Sequence, residues 1–366
     1  MSKWEMVKLG ECFALSSGKF LPTKKRVHGE YNVFGGNGII GKHNEYFIDS
    51  PTVVIGRVGQ YCGCLHTTGK KVWVTDNALY VTRFLKTIDR KYICYTLNQK
   101  NLNSFANKSG QPSISQSAIL KIEIPLPPLE TQKRIAKTLD TAAKLLALRK
   151  QQLAELDNLI KATFYDMFGD PVANEKGWEK KFLAELLEDI KYGTSTPPAF
   201  SESGFKFIRA TNIKAGRIIY NDMKYISEGE AFKIRKCRLQ NGDIIIVRSG
   251  VNTGDTCVIT EEFVGQYAGY DLIIIPNQKL VNSIYLNELI NTDYMGKIVK
   301  PLTRRAAQPH LNAEQTKKLP IIVPPVELQT QFAQIVSKIE EQKALAQTAI
   351  DETQYLFDSL MSEYFE

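Results

Sequence analysis

The sequence lacks long hydrophobic runs and has few of the residues that build metal sites or disulfide frameworks. The longest apolar runs, such as Ile244–Val247 and Leu272–Ile275, are far too short to cross a membrane. Six cysteines are scattered over 366 residues, and only Cys62 and Cys64 are close, without the second pair that a zinc site requires. The four histidines, at positions 28, 43, 66 and 310, show no ligand spacing. The first residues also lack the apolar segment of a signal peptide, so we expect a cytoplasmic protein with reduced cysteines and no metal.

Catalytic motifs are also missing from the sequence. Asp170 with Glu179, Lys180 and Lys181 has the letters of a nuclease site, D…E-x-K, but lies in the linker GDPVANEKGW rather than on strands. The segment TPPAF, ending at Phe200, lacks the leading Asn or Asp of a methyltransferase tetrapeptide. We therefore expect no catalytic residue on this chain.

The stretch EYNVFGGNGIIGKHNEY fits two nucleotide-binding patterns. Gly36, Gly38 and Gly41 match the dinucleotide fingerprint, and Gly36, Gly41 and Lys42 match most of a P-loop. Either pattern must open a helix, whose N-terminus binds the phosphates, yet aromatic and β-branched residues and a proline follow here. A P-loop also needs Ser or Thr after the lysine, where this chain has His43. We expect the glycines to shape a tight loop between strands instead.

The positive charge of the chain is unevenly distributed. Composition, with 43% hydrophobic and 23% charged residues, is that of a globular protein, and the net charge is +8. Residues 1–110 carry a net +9 and residues 171–307 a net +3, whereas residues 111–170 carry +1 and residues 308–366 carry −5. Basic, glycine-rich segments indicate a polyanionic partner.

The sequence contains an internal repeat. QPSISQSAILKIEIPLPPLETQKRIA, from Gln111, aligns without a gap with QPHLNAEQTKKLPIIVPPVELQTQFA, from Gln308, at an offset of 197 residues. The starts of the two halves also match, as WEMVKLGE from Trp4 and WEKKFLAE from Trp178. Identical pairs in the longer match include Pro112/Pro309, Pro127/Pro324, Pro128/Pro325, Glu130/Glu327 and Gln132/Gln329. The chain therefore consists of two copies of one module, a mixed β segment, a Pro-Pro stop and a helix.

Each Pro-Pro pair precedes a long heptad stripe. The first seam is Ile135, Leu139, Ala142, Leu146, Arg149, Leu153, Leu156, Ile160, Thr163 and Met167. The second is Phe332, Val336, Ile339, Lys343, Ala346, Ile350, Thr353, Phe357, Leu360 and Tyr364. Two stripes of the same phase predict a coiled coil rather than two separate surface helices. Because the second β segment follows the first helix, we expect antiparallel helices with a β domain at each end.

The predicted fold is therefore α+β, with β domains at 1–126 and 171–323 and helices at 127–170 and 324–366. The predicted strands are Tyr31–Phe34, Thr52–Val58, Val72–Val74, Leu79–Phe84, Phe205–Arg209, Ile218–Tyr220, Ile244–Val247, Val258–Thr260 and Leu272–Ile275. Two comparable strands end in the loops VVIGRVGQ and IIIVRSGVNTG, where Arg57 and Arg248 share the frame Arg-x-Gly. Arginine can donate two bonds to phosphate or guanine; the alternative is an ion pair with a local carboxylate.

Together these features resemble the specificity subunit of a type I restriction–modification system. GGNGIIGKHNEY, KYGTSTPP (Lys191–Pro198), the paired Gln-Pro segments and PLPPLETQKRIA carry the resemblance, which covers nearly the whole chain. It implies that each β domain is a target recognition domain that reads one half of a bipartite, asymmetric site in double-stranded DNA. It also implies that the helices set the spacing and dock two modification subunits, which restriction subunits join. S-adenosylmethionine, ATP and Mg²⁺ would then be bound by those partners and no cofactor by this chain.

Residues that read bases cannot be assigned by motif, because recognition domains differ widely within the family. The second domain has RATNIKAGR (Arg209–Arg217) in place of the glycine loop, so we expect the two halves to read different sequences. Candidate DNA contacts are Lys24, Lys25, Arg26, Asn37, Lys42, Arg57, Gln60, Lys70, Lys71, Thr194, Ser195, Arg209, Asn212, Arg248, Asn252, Arg304 and Arg305. The alternatives are the recognition subunit of a two-subunit type II restriction system, and a coiled-coil scaffold that binds protein or RNA.

Overall fold

The computed structural model describes residues 4–107, 110–303 and 309–365. The chain divides into two compact units, residues 1–150 with 348–366, and residues 151–347. Each unit therefore contains one β domain together with a part of both long helices.

The described residues of the first unit contain nine short strands and three short α-helices before the long helix. The strands are β1 (Met6–Lys8), β2 (Phe13–Ser17), β3 (Tyr31–Gly35), β4 (Gly38–His43), β5 (Val53–Gly56), β6 (Leu65–Thr67), β7 (Trp73–Val74), β8 (Ala78–Phe84) and β9 (Glu123–Pro125). The helices are α1 (Leu9–Cys12), α2 (Arg90–Gln99), α3 (Gln116–Leu120) and α4 (Leu129–Phe168). The strands form a four-stranded sheet in the order β2-β8-β5-β6, a three-stranded sheet β4-β3-β7 and the pair β1-β9.

The second unit contains the remaining strands and helices. The strands are β10 (Glu179–Phe182), β11 (Leu187–Tyr192), β12 (Phe200–Ser201), β13 (Phe205–Ile208), β14 (Ile213–Lys214), β15 (Arg217–Ile218), β16 (Lys224–Ile226), β17 (Ile244–Ile246), β18 (Thr256–Val258), β19 (Tyr267–Ala268), β20 (Leu272–Pro276) and β21 (Pro320–Val323). The helices are α5 (Glu228–Lys233), α6 (Ser283–Ile290), α7 (Lys300–Thr303), α8 (Ala313–Lys317) and α9 (Val326–Phe365). A π-helical turn, Met295–Val299, precedes α7.

The two β domains share the strand topology of their main sheet. The second unit has a four-stranded sheet, β11-β20-β17-β18, whose order matches β2-β8-β5-β6 of the first. Each domain also contains one parallel pair, β3 with β7 and β13 with β19, among otherwise antiparallel pairs. The terminal pairs β1-β9 and β10-β21 correspond as well. The predicted mixed β domain and its duplication are therefore confirmed.

The long helices α4 and α9 begin directly after the Pro-Pro pairs and each spans 40 residues. In the first unit, Ile135 and Leu139 of α4 share a core with Phe357 and Leu360 of α9. In the second unit, the end of α4 packs against the start of α9, where the seam residues are Leu156, Ile160, Phe332, Val336 and Ile339. The start of each helix thus meets the end of the other, which confirms the predicted antiparallel pairing. Leu146 and Leu153 are half-buried and Ile350 is buried.

The second unit also buries aromatic side chains that lie off the predicted seam. Phe164 and Phe168 of α4 are completely buried. Their rings lie 5.8 and 4.8 Å from the ring of Tyr285 on α6, and 5.6 and 5.3 Å from the ring of Phe332 on α9. This cluster joins the β domain of the second unit to both helices.

A buried glutamine joins the β domain to the helices in each unit. Gln132 accepts a hydrogen bond from the Asp89 backbone N–H at 2.9 Å and donates to the Pro127 carbonyl at 2.8 Å. Gln329 accepts from the Asn282 N–H at 2.8 Å and donates to the Pro324 carbonyl at 2.7 Å. We call this repeated arrangement the glutamine clamp. It explains physically why this glutamine occurs in both copies of the repeat.

Other features bear on what the described part of the chain can bind. None of its helices is both long enough and apolar enough to cross a membrane. Within the same residues, no three His, Cys, Asp or Glu side chains come together in a way that would hold a metal ion. The six cysteines are free thiols.

Candidate nucleic-acid interface

The glycine motif forms a β-hairpin beside a loop that carries a candidate arginine. Strands β3 and β4 pair around Gly36 and Asn37, and Gly38, at a φ of +88°, starts the returning strand. No helix follows, so the structure excludes both nucleotide patterns. A Cβ at Gly56 would lie 2.3 Å from the Gly36 carbonyl oxygen and 2.4 Å from that of Tyr61. Glycine at position 56 therefore lets the hairpin turn pack directly against the loop that follows β5.

That loop, residues 57–63, is called the Arg57 loop. The backbone N–H of Arg57 donates to the Asn77 carbonyl at 3.0 Å, and its carbonyl accepts from the Ile114 N–H at 2.9 Å. The half-buried guanidinium donates from Nη1 to the Ser17 hydroxyl at 3.1 Å. The arginine backbone is thus fixed, while most of the fork has no other bond from the described residues.

The Arg248 loop, residues 248–254, has the same position in the second unit. The Arg248 carbonyl accepts from the Leu311 N–H at 2.8 Å. Its backbone N–H donates to Asp271 Oδ1 at 3.0 Å, and its Nη2 lies 3.1 Å from His310 Nε2. The guanidinium carbon lies 4.6 Å from the ring centre of Tyr192 and 4.2 Å from that of Tyr270. These contacts hold the Arg248 fork far more closely than the Arg57 fork.

Backbone bonds show that the two loops are equivalent. Ile114 and Leu311, which bond the two arginine carbonyls, are 197 residues apart, the offset of the sequence repeat. The closing glycines, Gly63 and Gly254, each donate at 2.8 Å to the carbonyl of the residue before the arginine. The alternative interpretation required an ion pair between each arginine and a local carboxylate. Neither guanidinium forms an ion pair with a carboxylate of the described residues.

A buried carboxyl lies behind Arg248. Asp271 is only 2% exposed, and burial raises its pKa to about 6, although the backbone N–H and the charge of Arg248 act in the opposite direction. The Asp271 Oδ2 and the Arg248 Nε are both buried without a hydrogen-bond partner among the described residues. The ionisation of Asp271 therefore decides whether a negative charge lies behind the Arg248 guanidinium.

A groove of about 460 Å³ brings several predicted residues of the second domain together. Thr194, Ser195 and Arg209 line it, next to Ser249 of the Arg248 loop and Tyr270. The Thr194 hydroxyl donates to the Thr196 carbonyl at 2.8 Å, while Ser195 is exposed. The guanidinium of Arg209 pairs with Asp222 at 3.0 Å.

Two asparagines among the candidates, Asn212 of the segment Arg209–Arg217 and Asn252 of the Arg248 loop, bond to backbone carbonyls of their own domain. Asn212 is completely buried, and its amide donates to the Ile219 and Asn221 carbonyls at 3.3 and 2.9 Å. In this conformation Asn212 holds the loop together and offers no surface to DNA. Asn252, from the Arg248 loop, is half-buried and donates to the Ala210 carbonyl at 3.2 Å.

Arg217 belongs to an ion-pair network instead of an open face. Its Nη1 lies 2.6 Å from Glu288 Oε1 of α6, and its Nη2 lies 2.6 Å from Glu340 Oε1 of α9. Lys343 of α9 pairs with Glu340 at 3.0 Å and with Asp157 of α4 at 2.6 Å. Burial opposes the charge of Arg217, but the two glutamates raise its pKa overall. The network fastens the β14–β15 hairpin to the helices within this unit.

The other candidates lie around the glycine hairpin or outside the described residues. Arg26 donates to the Ile40 carbonyl of β4 at 3.3 Å, and the Lys71 ammonium lies 5.4 Å from the Tyr46 ring centre. The exposed candidates of the first unit are Lys24, Lys25, Asn37, Lys42, Gln60, Lys70 and Lys71. Arg304 and Arg305 fall outside the residues that the structure describes.

The sequence reading missed one cationic pocket of the second unit. It has a volume of about 370 Å³ and is lined by Lys191, Arg235, Lys236 and Arg238 among others. The sequence signal for this pocket is the basic run FKIRKCR, which is not specific because lysine and arginine runs are also common on solvated surfaces. The pocket offers a second group of cations for a polyanion.

Comparison with known proteins identifies relatives of one kind. A sequence profile described as the type I restriction modification DNA specificity domain matches residues 1–158 and 175–354. The type I restriction enzyme MjaVIII specificity subunit of Methanocaldococcus jannaschii is 23% identical over 92% of this chain and 86% of its own length. The EcoKI specificity subunit of Escherichia coli K12 is 23% identical over 69% of this chain and 57% of its own length.

Solved structures give the same result for the fold. The type I restriction–modification S subunit from M. genitalium aligns over 100% of this chain and 96% of its own, with a TM-score of 0.69 and 16% identity. A chain from work on complex assembly and conformational transition of the type I R-M system aligns over 99% of this chain and 97% of its own, with a TM-score of 0.56 and 16% identity. These relatives favour neither the type II alternative nor the scaffold alternative.

Proposed function

This chain belongs to the specificity subunits of type I restriction–modification systems, the non-catalytic subunits that recognise DNA, and we propose that its two β domains each read one half of a bipartite site. The observation that carries the proposal is the equivalence of the Arg57 and Arg248 loops. The same backbone presents an arginine in both domains, but the three neighbours of that arginine differ. Strand register and the repeat offset pair them as Ser17/Tyr192, Asn77/Tyr270 and Ser113/His310. Equivalent arginines with different neighbours suit two domains that recognise different DNA sequences.

Removing each arginine in turn tests this division. We expect Arg57→Ala to relax specificity in one half-site and Arg248→Ala in the other, because a lost bidentate base contact costs about 1–3 kcal/mol. The assay is selection of bound duplexes from a random library, followed by sequencing. Arg134→Ala, an exposed residue of α4, is the matched control. If either loop variant lowers binding evenly for all sequences, that arginine contacts phosphate or supports the fold.

We propose that the helices dock two copies of one modification subunit. Leu148 and Leu345 are 52% and 65% exposed, and Leu159 and Leu356 are 48% and 51% exposed. The members of each pair are 197 residues apart, so the repeat presents the same exposed leucines twice. Exposed apolar side chains at repeated positions suit two copies of the same partner.

Co-purification tests the docking proposal. Leu148→Glu together with Leu159→Glu should remove one modification subunit, and Leu345→Glu together with Leu356→Glu the other. The complex mass gives the count directly. Gln334→Glu, on the exposed surface of α9, is the control. A complex with two modification subunits in both double variants contradicts the assignment of these leucines.

The remaining parts of the proposal concern the other subunits. Restriction subunits join the complex, S-adenosylmethionine, ATP and Mg²⁺ are bound by the partners, and the complex acts in the cytoplasm. Purified chain should transfer no methyl group from S-adenosylmethionine to DNA, whereas the complex with modification subunits should. Methyl transfer by a preparation free of partners would refute this division of labour.

A further inference from the structure

The Arg57 and Arg248 loops each carry two residues at the tip, Gln60-Tyr61 and Val251-Asn252. We propose that Gln60 and Val251 are the base-selecting residues of these tips. Gln60 would bond the adenine edge in one half-site, and Val251 would contact the thymine methyl group in the other. This inference rests on the proposed function and assigns specificity to residues other than the arginines.

The tip of the Arg248 loop is fixed from within the domain. Thr253 is 4% exposed, and its hydroxyl donates to the Gly250 carbonyl at 2.6 Å and lies 3.3 Å from the Pro309 carbonyl oxygen. Its backbone N–H also bonds the Gly250 carbonyl at 3.1 Å. Gly250 and Gly254 have φ values of +96° and +97°, which only glycine adopts readily. Val251 is therefore held at a defined position instead of on a loose loop.

The tip of the Arg57 loop is fixed in the same way. Cys62 is 2% exposed, its N–H donates to the Gly59 carbonyl at 3.0 Å, and its thiol lies 3.3 Å from the Arg57 carbonyl oxygen. Gly59 and Gly63 have φ values of +83° and +89°. Cys62 thus takes the place of Thr253, and the residue two positions before each of them is the tip. Gln60 and Val251 are consequently structural equivalents.

Exposure distinguishes these tips from ordinary surface residues. Val251 is 101% exposed, so its isopropyl group makes no contact that would stabilise the folded chain. A single exposed aliphatic residue has little meaning by itself. This one, however, stands three residues after an arginine in a loop whose backbone donates hydrogen bonds at Arg248, Thr253 and Gly254, and its equivalent in the other domain is an exposed glutamine. A fixed backbone that carries different outward side chains at its tip, Gln60 in one loop and Val251 in the other, has the properties of an interchangeable reading element.

The chemistry of the two side chains then selects the bases. In the major groove, a glutamine amide can bond N6 and N7 of adenine at once, while an apolar side chain contacts the thymine methyl group. Each neighbouring arginine would anchor the loop to an adjacent guanine or phosphate. A valine cannot make the adenine contact, and a glutamine gains nothing from the methyl group.

Exchange of the tip residues tests the inference. Wild-type complex, with its modification subunits, is compared with the Val251→Gln, Gln60→Val and Val251→Ala variants by selection from a randomised duplex library. The half-site of each unit is identified first, as the one whose sequence Arg57→Ala or Arg248→Ala relaxes. Leu280→Gln, at an exposed aliphatic residue of the second unit outside both the groove and the cationic pocket, is the matched control.

We expect Val251→Gln to change one position of its half-site from thymine to adenine, by roughly 5- to 150-fold, and to leave the other half-site unchanged. Gln60→Val should make the opposite change in the first half-site, and Val251→Ala should lose the preference without gaining a new one. If the variants bind well and select the wild-type sequence, the tips do not read bases. If the wild-type complex selects no sequence at all, the proposed function itself fails. Circular dichroism of each variant shows whether it is folded.

Discussion

Replacement of Gln329 by leucine removes the glutamine clamp of the second unit without changing side-chain volume greatly. Gln329 is completely buried, and its two short bonds join the Asn282 N–H and the Pro324 carbonyl. Leucine would leave both backbone groups unpaired, with Pro324 buried and Asn282 half-buried, at a cost of about 1–3 kcal/mol each. We therefore expect the free energy of unfolding of this unit to fall by about 2–6 kcal/mol. In a unit of this size that corresponds to a drop in Tm of roughly 5–20 °C.

Two measurements check this value at different levels. Thermal or urea unfolding gives the change in stability, with allowance for separate transitions of the two units. Amide hydrogen exchange gives the local effect, since the Asn282 N–H should exchange much faster once its acceptor is gone. Gln331→Leu is the control, because this glutamine lies on the same helix but is exposed and makes neither of the clamp bonds.

The same change in the first unit, Gln132→Leu, should have an effect of the same size on the other transition. Gln132 is 1% exposed and makes the equivalent bonds. A Gln329→Leu protein within about 0.5 kcal/mol of the Gln331→Leu control would show that the clamp does not stabilise the joint.

Two further predictions concern ionisation and helix length. The pKa of Asp271 is raised from its ordinary value of 3.8 to about 6, so the folded chain binds this proton more tightly than the unfolded chain, and its contribution to stability falls as pH rises through that window. As the pH rises from 4 to 6, the free energy of unfolding of Asp271→Asn, measured by urea titration, should therefore increase by up to about 3 kcal/mol relative to that of the wild type. The same dependence of the free energy of unfolding on pH in both proteins would contradict the assignment. If the helices set the distance between half-sites, one heptad added to both α4 and α9 lengthens each by ~10 Å, or about 3 base pairs. Selection with a variable gap should then give a longer preferred spacer and weaker binding, since 3 base pairs also rotate the DNA by roughly 100°; an unchanged gap with good binding shows that the helices do not set it.

The long helices could be predicted because their signal is local. Two Pro-Pro pairs mark the starts, and the 4-3 spacing marks the buried side without reference to the rest of the chain. Phe164 and Phe168 lie off that stripe, and no heptad rule places them in the core. They are buried because α6 of the β domain packs there and brings Tyr285 against them. Contacts of this kind depend on the tertiary fold, which local periodicity does not contain.

Some strands, like the long helices, could be predicted from local sequence, whereas others depend on tertiary contacts. β5 and β17 are apolar and fully buried, so their sequences predict them well. β4, Gly38–His43, contains two glycines and has mostly exposed residues, and its strand conformation comes from pairing with β3. The expected loop of the glycine motif is thus only its turn, and the second half of the motif is a strand.

Within the candidate interface, the frame Arg-x-Gly was sufficient to match Arg57 with Arg248. The groups that surround Arg248 were not predictable, because His310 lies 62 residues further along the chain and reaches the loop only through the strand contacts of the domain. Polar residue type was an equally incomplete guide. Asn212 and Arg217 are of residue types that can bond DNA, yet both form hydrogen bonds with other residues of the second unit.

The repeat separates positions that must stay alike from positions that are free to differ. The Tyr92 hydroxyl donates to the Pro125 carbonyl at 2.7 Å, and the Tyr285 hydroxyl donates to the Ile322 carbonyl at 2.8 Å. The two carbonyls are 197 residues apart, and the two clamp glutamines have the same offset. These repeated bonds all lie at the joint between a β domain and the helices. The differences lie in the loops beyond the strands, as at Val251. Since the joints do not depend on the loop tips, the tip residues can change without altering the joint that holds each domain to the helices. Separate control of recognition and assembly is what a subunit needs if it directs the same enzymes to different DNA sequences.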